Sequence, residues 1–161
     1  MATELIIFIL VVGIGSTIVL DLWGVFTAKI GWMPGTHWPS VGRWLLGIPA
    51  GHLVLDGTDT RPHTLSEAAV GWIFHYLIGL AYAVSFPLFW GIGFISAPTV
   101  FPVFLIGVIV SSLAGLIVLM PGMGGGIFAR KLPNAGAMIV YVLVAHVIFA
   151  IAQYLLALLL A

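Results

Sequence analysis

Residues 67–90 read EAAVGWIFHYLIGLAYAVSFPLFW. The run is apolar almost throughout and long enough for a helix to cross the hydrocarbon core of a bilayer, which takes about 20 residues. It carries Trp72, His75, Tyr76 and Tyr82 where a helix surrounded by lipid would carry leucines. An imidazole inside a membrane is costly unless it meets a partner or water, so His75 is expected to face a bundle built by the rest of the chain. Glu67, Gly71, His75, Gly79 and Ala83 recur every four residues on one helix face. The glycines let a neighbouring backbone approach the imidazole closely. Pro87 removes one backbone donor towards the far end and is expected to kink the helix there.

The composition extends this reading to the whole chain. Its 161 residues are 62% hydrophobic and 6% charged, with a mean hydropathy of +1.25, values of an integral membrane protein. Five basic and five acidic residues leave no net charge, so the basic footprint of a nucleic-acid binder is missing. Cysteine is absent, which excludes disulfides and thiolate metal sites. Glu4 stands where a signal peptide has its basic region, so the first apolar run is read as a retained span.

Four segments reach spanning length, at about residues 5–27, 68–90, 99–120 and 135–160. The expected fold is an all-α membrane protein: four transmembrane helices in an antiparallel bundle, forming a single four-span domain over residues 1–161. Lys29, Arg43 and Arg61 lie in the first connection, and Arg130 and Lys131 in the third. The positive-inside rule therefore places loops 28–67 and 121–134 in the cytoplasm and both termini outside, in an inner (plasma) membrane.

Each span and loop contributes candidate residues. The first span has Gly13, Thr17 and Asp21 at four-residue intervals, with Gly24 and Ala28 continuing the face. Asp21 lies about two turns before Lys29, inside the cytoplasmic third, where a carboxylate either fixes packing or holds a proton or cation. In the first loop, Ser40 reads as an N-cap, and Val41, Trp44, Leu45 and Ile48 then follow at helical spacing. This is a short interfacial helix anchored by Trp32, Trp38 and Trp44, or a lid whose Arg43 reaches Asp21 or Glu67. His37, His52 and His63 are spaced too irregularly to propose a metal site and read as solvated loop histidines.

The third span shows Gly107, Ser111 and Gly115 at the same interval and ends in Met120-Pro121-Gly122-Met123-Gly124-Gly125-Gly126. No strand precedes these glycines, so a dinucleotide fingerprint does not apply. The turn is a helix stop whose Gly122, Gly124, Gly125 and Gly126, beside Arg130 and Lys131, form a candidate site for an anion or lipid headgroup. In the fourth span His146 and Gln153 share a face. His146 and His75 both fall in the cytoplasmic half.

Asp21-Leu22-Trp23, Val41-Gly42-Arg43-Trp44, His75-Tyr76 with Gly79, Pro121-Gly122-Met123-Gly124, and Ala145-His146 with Phe149 together resemble a bacterial family of small integral membrane proteins filed as domain of unknown function 2938. Ala150 departs from the family's glycine there, which bears on packing. The resemblance implies a multi-span inner-membrane protein and supplies no reaction.

The matching residues gather at the cytoplasmic ends of the spans. This suggests one cytoplasm-facing cavity lined by Asp21, His75 and His146, with Tyr76 adjacent, capped by Arg43 and Trp44 and floored by the turn from Pro121 to Gly126. The leading expectation is a transport or permeation component handling a proton, small cation or small solute, since histidine changes charge near neutral pH. A structural or accessory subunit is the alternative, because interhelical hydrogen bonds of about 0.6–2 kcal/mol can select a packing without chemistry. A third reading, an intramembrane enzyme with Asp21, His75 and His146 on a metal, lacks any local ligand motif. No catalytic residue, bound metal or cofactor is assigned. The expected partners are the lipid bilayer, anionic lipid headgroups and further copies of the chain, and no nucleic acid.

Overall fold

A computed structural model describes residues 2–161. Four helices are long and apolar enough to span a bilayer: α1 (Ala2–Lys29), α3 (Leu65–Trp90), α5 (Val100–Gly122) and α6 (Ala135–Leu160). Two shorter α-helices lie between them, α2 (Trp38–Gly47) in the first connection and α4 (Gly93–Ser96) in the second. The fold is all-helical, and the protein is built as a multi-pass membrane protein.

Local chemistry accounts for the helix ends. Glu4 lies in the first turn of α1 and Lys29 in its last, each complementing the helix dipole. α3 starts at a reciprocal capping box: the Glu67 amide donates to Thr64 Oγ1 at 3.2 Å, and the Thr64 amide donates to Glu67 Oε2 at 2.6 Å. α3 continues through Pro87 to Trp90. α5 ends in a Schellman motif, with the Gly125 amide on the Met120 carbonyl and the Gly124 amide on that of Pro121, both at 2.9 Å. Gly124 takes the left-handed conformation (φ +85°) that this stop requires.

Three features depart from the sequence reading. α2 begins at Trp38, with His37 rather than Ser40 as its N-cap. Pro39 suits the first turn, where its missing N–H is harmless, and the Ser40 and Val41 amides both bond the His37 carbonyl. The second connection is not a plain turn, because Phe94 and Ile95 are drawn into the core as α4 forms. α5 is not uniformly α-helical: Phe104–Val110 and Gly115–Leu119 are wound as π-helix.

The chain divides into two compact units, both of which draw on α3, α5 and α6. One contains the segment ending at Gly35, Tyr76–Ser112 and Leu143–Ala161. Its core gathers Phe8, Val12, Phe86, Phe94, Ile106 and Ala150. Phe94 stacks on Phe86 (centroids 5.0 Å apart) and meets Phe8 edge-on at 6.1 Å. Within this unit α1 crosses α3 at small residues. A side-chain carbon on Gly13 would fall 2.9 Å from Leu80 Cα, and one on Gly79 would strike the Thr17 hydroxyl. α6 meets α5 in the same way, since a Cβ on Gly107 would come within 2.8 Å of Ala150 Cβ. These are the close approaches that glycine permits between helices in lipid.

The other unit contains Thr36–His75 and Leu113–Val142. Here α2 lies against the start of α3. A Cβ on Gly42 would run into the Glu67 carbonyl, and one on Gly71 would run into the carbonyl of Trp38. Val41, Gly42 and Trp44 form the buried face of α2.

Candidate functional site

In the unit that contains α2, the side chains organise around Glu67. Arg43 sits one position after Gly42 on α2, and the close crossing brings its guanidinium onto the Glu67 carboxylate. Nε donates to Oε1 at 2.8 Å and Nη2 to Oε2 at 3.2 Å, a fork that a planar guanidinium makes and an ammonium cannot. The same guanidinium donates to the carbonyls of Arg61 (2.9 Å), Pro62 (3.0 Å) and Asp59 (3.4 Å), so the loop before α3 wraps around one half-buried cation. Its bond to Glu67 raises the Arg43 pKa further. Asp59 accepts from the side chain and amide of Arg61. These bonds, with the charge of Arg43 beyond them, hold its carboxyl well below the usual carboxylate range. Asp56 is held down likewise by the hydroxyl and amide of Thr58.

Trp44 and His75 are fixed in this unit as well. The Trp44 indole lies over Gly122, where no side chain would fit, and its Nε1 donates to the Leu53 carbonyl at 2.9 Å. The Leu55 amide bonds the Gly122 carbonyl at 2.7 Å. The His75 ring, 6% exposed, stacks on Trp38 at 3.8 Å and 19°. Arg43 thus reaches Glu67, and the α2 side chains serve to fasten the loop. In the turn after α5, the amides of Gly124 and Gly125 are engaged by the helix stop. Arg130 and Lys131 follow a short segment in which Phe128 and Ala129 adopt positive φ (53° and 57°).

The other unit holds Asp21, Tyr76 and His146. Tyr76 Oη donates to Asp21 Oδ2 at 3.0 Å, joining α1 to α3. His146 Nδ1 lies 3.1 Å from Ser112 Oγ, joining α6 to α5. The adjacent Ser111 donates to the Gly107 carbonyl, within the first π-helical stretch, at 2.5 Å. Gln153 faces that same stretch: its Oε1 occupies the space a Cβ on Gly107 would need. Gln153 is wholly buried, and neither Oε1 nor Nε2 has a hydrogen-bond partner. A seam of polar groups, His146–Ser112, Ser111 and Gln153, thus runs between α5 and α6. Among the described residues, no three of His, Asp and Glu stand together as metal ligands, so the metal-enzyme reading is not carried further.

Several of these partners lay outside the sequence reading. Thr64-Leu65-Ser66-Glu67 is a capping-box signature directly before an apolar run and was readable. The π-helical stretches have no comparable local signal, and Ser112 meets His146 from the α-helical turn between them.

Four spanning helices with polar groups joined across them define a multi-pass helical membrane protein. The model of the family described as "Protein of unknown function (DUF2938)" matches residues 10–160, and the chain belongs to that family. No curated protein and no solved structure was found to match it.

Proposed function

We propose that this protein is a small transport or permeation component of a cytoplasmic membrane, moving a proton or small cation along the polar seam between α5 and α6. The observation that carries the reading is Gln153. A carboxamide buried inside a membrane helix with both ends unpaired is unfavourable by about 1–3 kcal/mol for each unpaired group, and a leucine would fill the place without that penalty. Polar groups held at such depth face a pathway or a cavity as a rule. The π-helical winding at Gly107 adds support, because such windings occur often at functional positions. Asp21 with Tyr76, and His75 on Trp38, are the further titratable groups in this reading. In this reading the two loops that carry the basic residues face the cytoplasm and the termini lie outside, as the positive-inside rule favours.

The test is proton flux in proteoliposomes loaded with a pH-sensitive dye under an imposed gradient. Wild-type protein is expected to dissipate the gradient faster than empty vesicles, and Gln153→Leu and Asp21→Ala are expected to lose that excess. Wild-type flux equal to that of empty vesicles, or unchanged flux in both variants, refutes the reading.

A second reading is favoured by a specific observation. Most intramembrane hydroxyls bond within their own helix, as Ser16 does to Val12 and Thr17 to Gly13, which is what a packing device or accessory subunit needs. Under it, the same variants alter stability or partner recovery while no flux exists to lose.

A further inference from the structure

His37 and His63 are 26 positions apart in the sequence, yet their rings come together, with centroids 4.8 Å apart at 59°. They do not stack. Their nitrogens converge: His37 Nδ1 lies 2.8 Å, and His63 Nε2 3.1 Å, from the single hydroxyl oxygen of Ser40. Both histidines are exposed, and hydrogen bonds to water would serve exposed imidazoles nearly as well. The convergence is imposed by the backbone on either side. Pro62, before His63, gives its carbonyl to Arg43, and Thr64, after it, gives its amide to Glu67. His37 caps α2, and the next residue, Trp38, is stacked on His75.

We propose that His37 and His63 form a chelating site for a divalent transition-metal ion of the zinc, nickel or copper type. Imidazole nitrogen is a preferred donor for these ions. Zinc–nitrogen bonds are about 2.0–2.1 Å long, so two exposed imidazoles that flank one oxygen must rotate toward each other to share a metal. Ser40 Oγ and water complete the shell. With two protein nitrogens and open positions, the site is exchangeable, unlike a closed structural zinc centre. Both rings are already held beside one another before the ion arrives, which lowers the ordering that binding requires. An ion held there would tie the start of α2 to the loop that enters α3.

The experiment uses the full chain, free of any histidine tag, in detergent micelles, titrated with zinc chloride by calorimetry. The wild type is expected to bind one equivalent. His37→Gln and His63→Gln keep a hydrogen-bond partner for Ser40 and therefore the local fold, and each is expected to lose the bound equivalent. His52→Gln, which alters an exposed histidine outside the pair, is expected to retain it. Limited proteolysis gives a second readout: zinc should slow cleavage between Gly51 and Thr64 in the wild type and in His52→Gln only. Absence of stoichiometric binding in the wild type, or binding that survives in both His37→Gln and His63→Gln, overturns the proposal.

Discussion

Replacing Gln153 with leucine should make this protein more stable. The carboxamide is completely buried on α6, and neither of its polar atoms has a partner. Each unpaired buried polar group is unfavourable by about 1–3 kcal/mol in mutational data. In a bilayer the unfolded chain already holds much of the segment in hydrocarbon, so only part of that difference appears in the stability. Leucine has a similar volume but a different shape beside Gly107, and such swaps lose less than about 1.5 kcal/mol through imperfect packing. The net expectation is a gain of about 1–2 kcal/mol, or an unfolding midpoint raised by a few degrees for a chain of this size. Thermal unfolding in detergent, followed by tryptophan fluorescence, measures it. A midpoint lowered by several degrees would show that the amide is bonded in the native bundle and would refute the reasoning. If stability rises while proton flux falls, Gln153 is held against stability for the sake of activity.

Gly42→Ala should destabilise the protein by about 1–3 kcal/mol, because the added methyl meets the fixed backbone of Glu67 and no rotamer relieves it. Gly57→Ala, where the added carbon meets nothing within 4 Å, is the control, and chemical or thermal unfolding compares the two. Arg43→Lys should increase proteolytic cleavage of the loop between Gly51 and Thr64 on the order of tenfold, since an ammonium cannot hold the Glu67 fork and the loop carbonyls together. The loop should also resist acid. The Asp59 pKa is lowered in the folded state, so its contribution is complete above the ordinary carboxylate pKa of about 3.9 and is lost only as pH falls further. Hydrogen exchange in the loop should therefore be level from neutral pH to about pH 5, after correction for intrinsic rates, and quicken only below about pH 4.

The spans were legible in the sequence because spanning length and hydropathy report directly on a bilayer, and the fourth span, α6, starts and ends where the apolar pattern does, at Ala135 and Leu160. The glycine intervals also carried information: Gly13, Gly71, Gly79 and Gly107 each stand where another helix or its side chains approach closely. What a side chain meets across the bundle was less legible, because helix phase and crossing point set it. Asp21 was readable as a carboxylate within the first span, but its bond to Tyr76 depends on how α1 and α3 cross. Winding in α5 was invisible, since a π-turn arises from packing more than from local composition. The pairing of His37 with His63 was hidden for another reason. It follows from the Arg43 clamp and the α3 capping box, two long-range and local devices that act together and that irregular spacing cannot reveal.

Whether the seam between α5 and α6 meets water separates a pathway from a packing device. The chain has no cysteine of its own, so single cysteines can be placed at Ser112, His146 and Gln153, with Ile151, 54% exposed on α6, as the lipid-facing control. Thiosulfonate reagents react with the thiolate, which forms in water and not in hydrocarbon. In reconstituted vesicles, modification at the three seam positions with none at position 151 is the result expected of a polar pathway. If none of the three reacts, in folded protein, while a loop cysteine at Gly57 does, the seam is dry and its polar groups are packing devices.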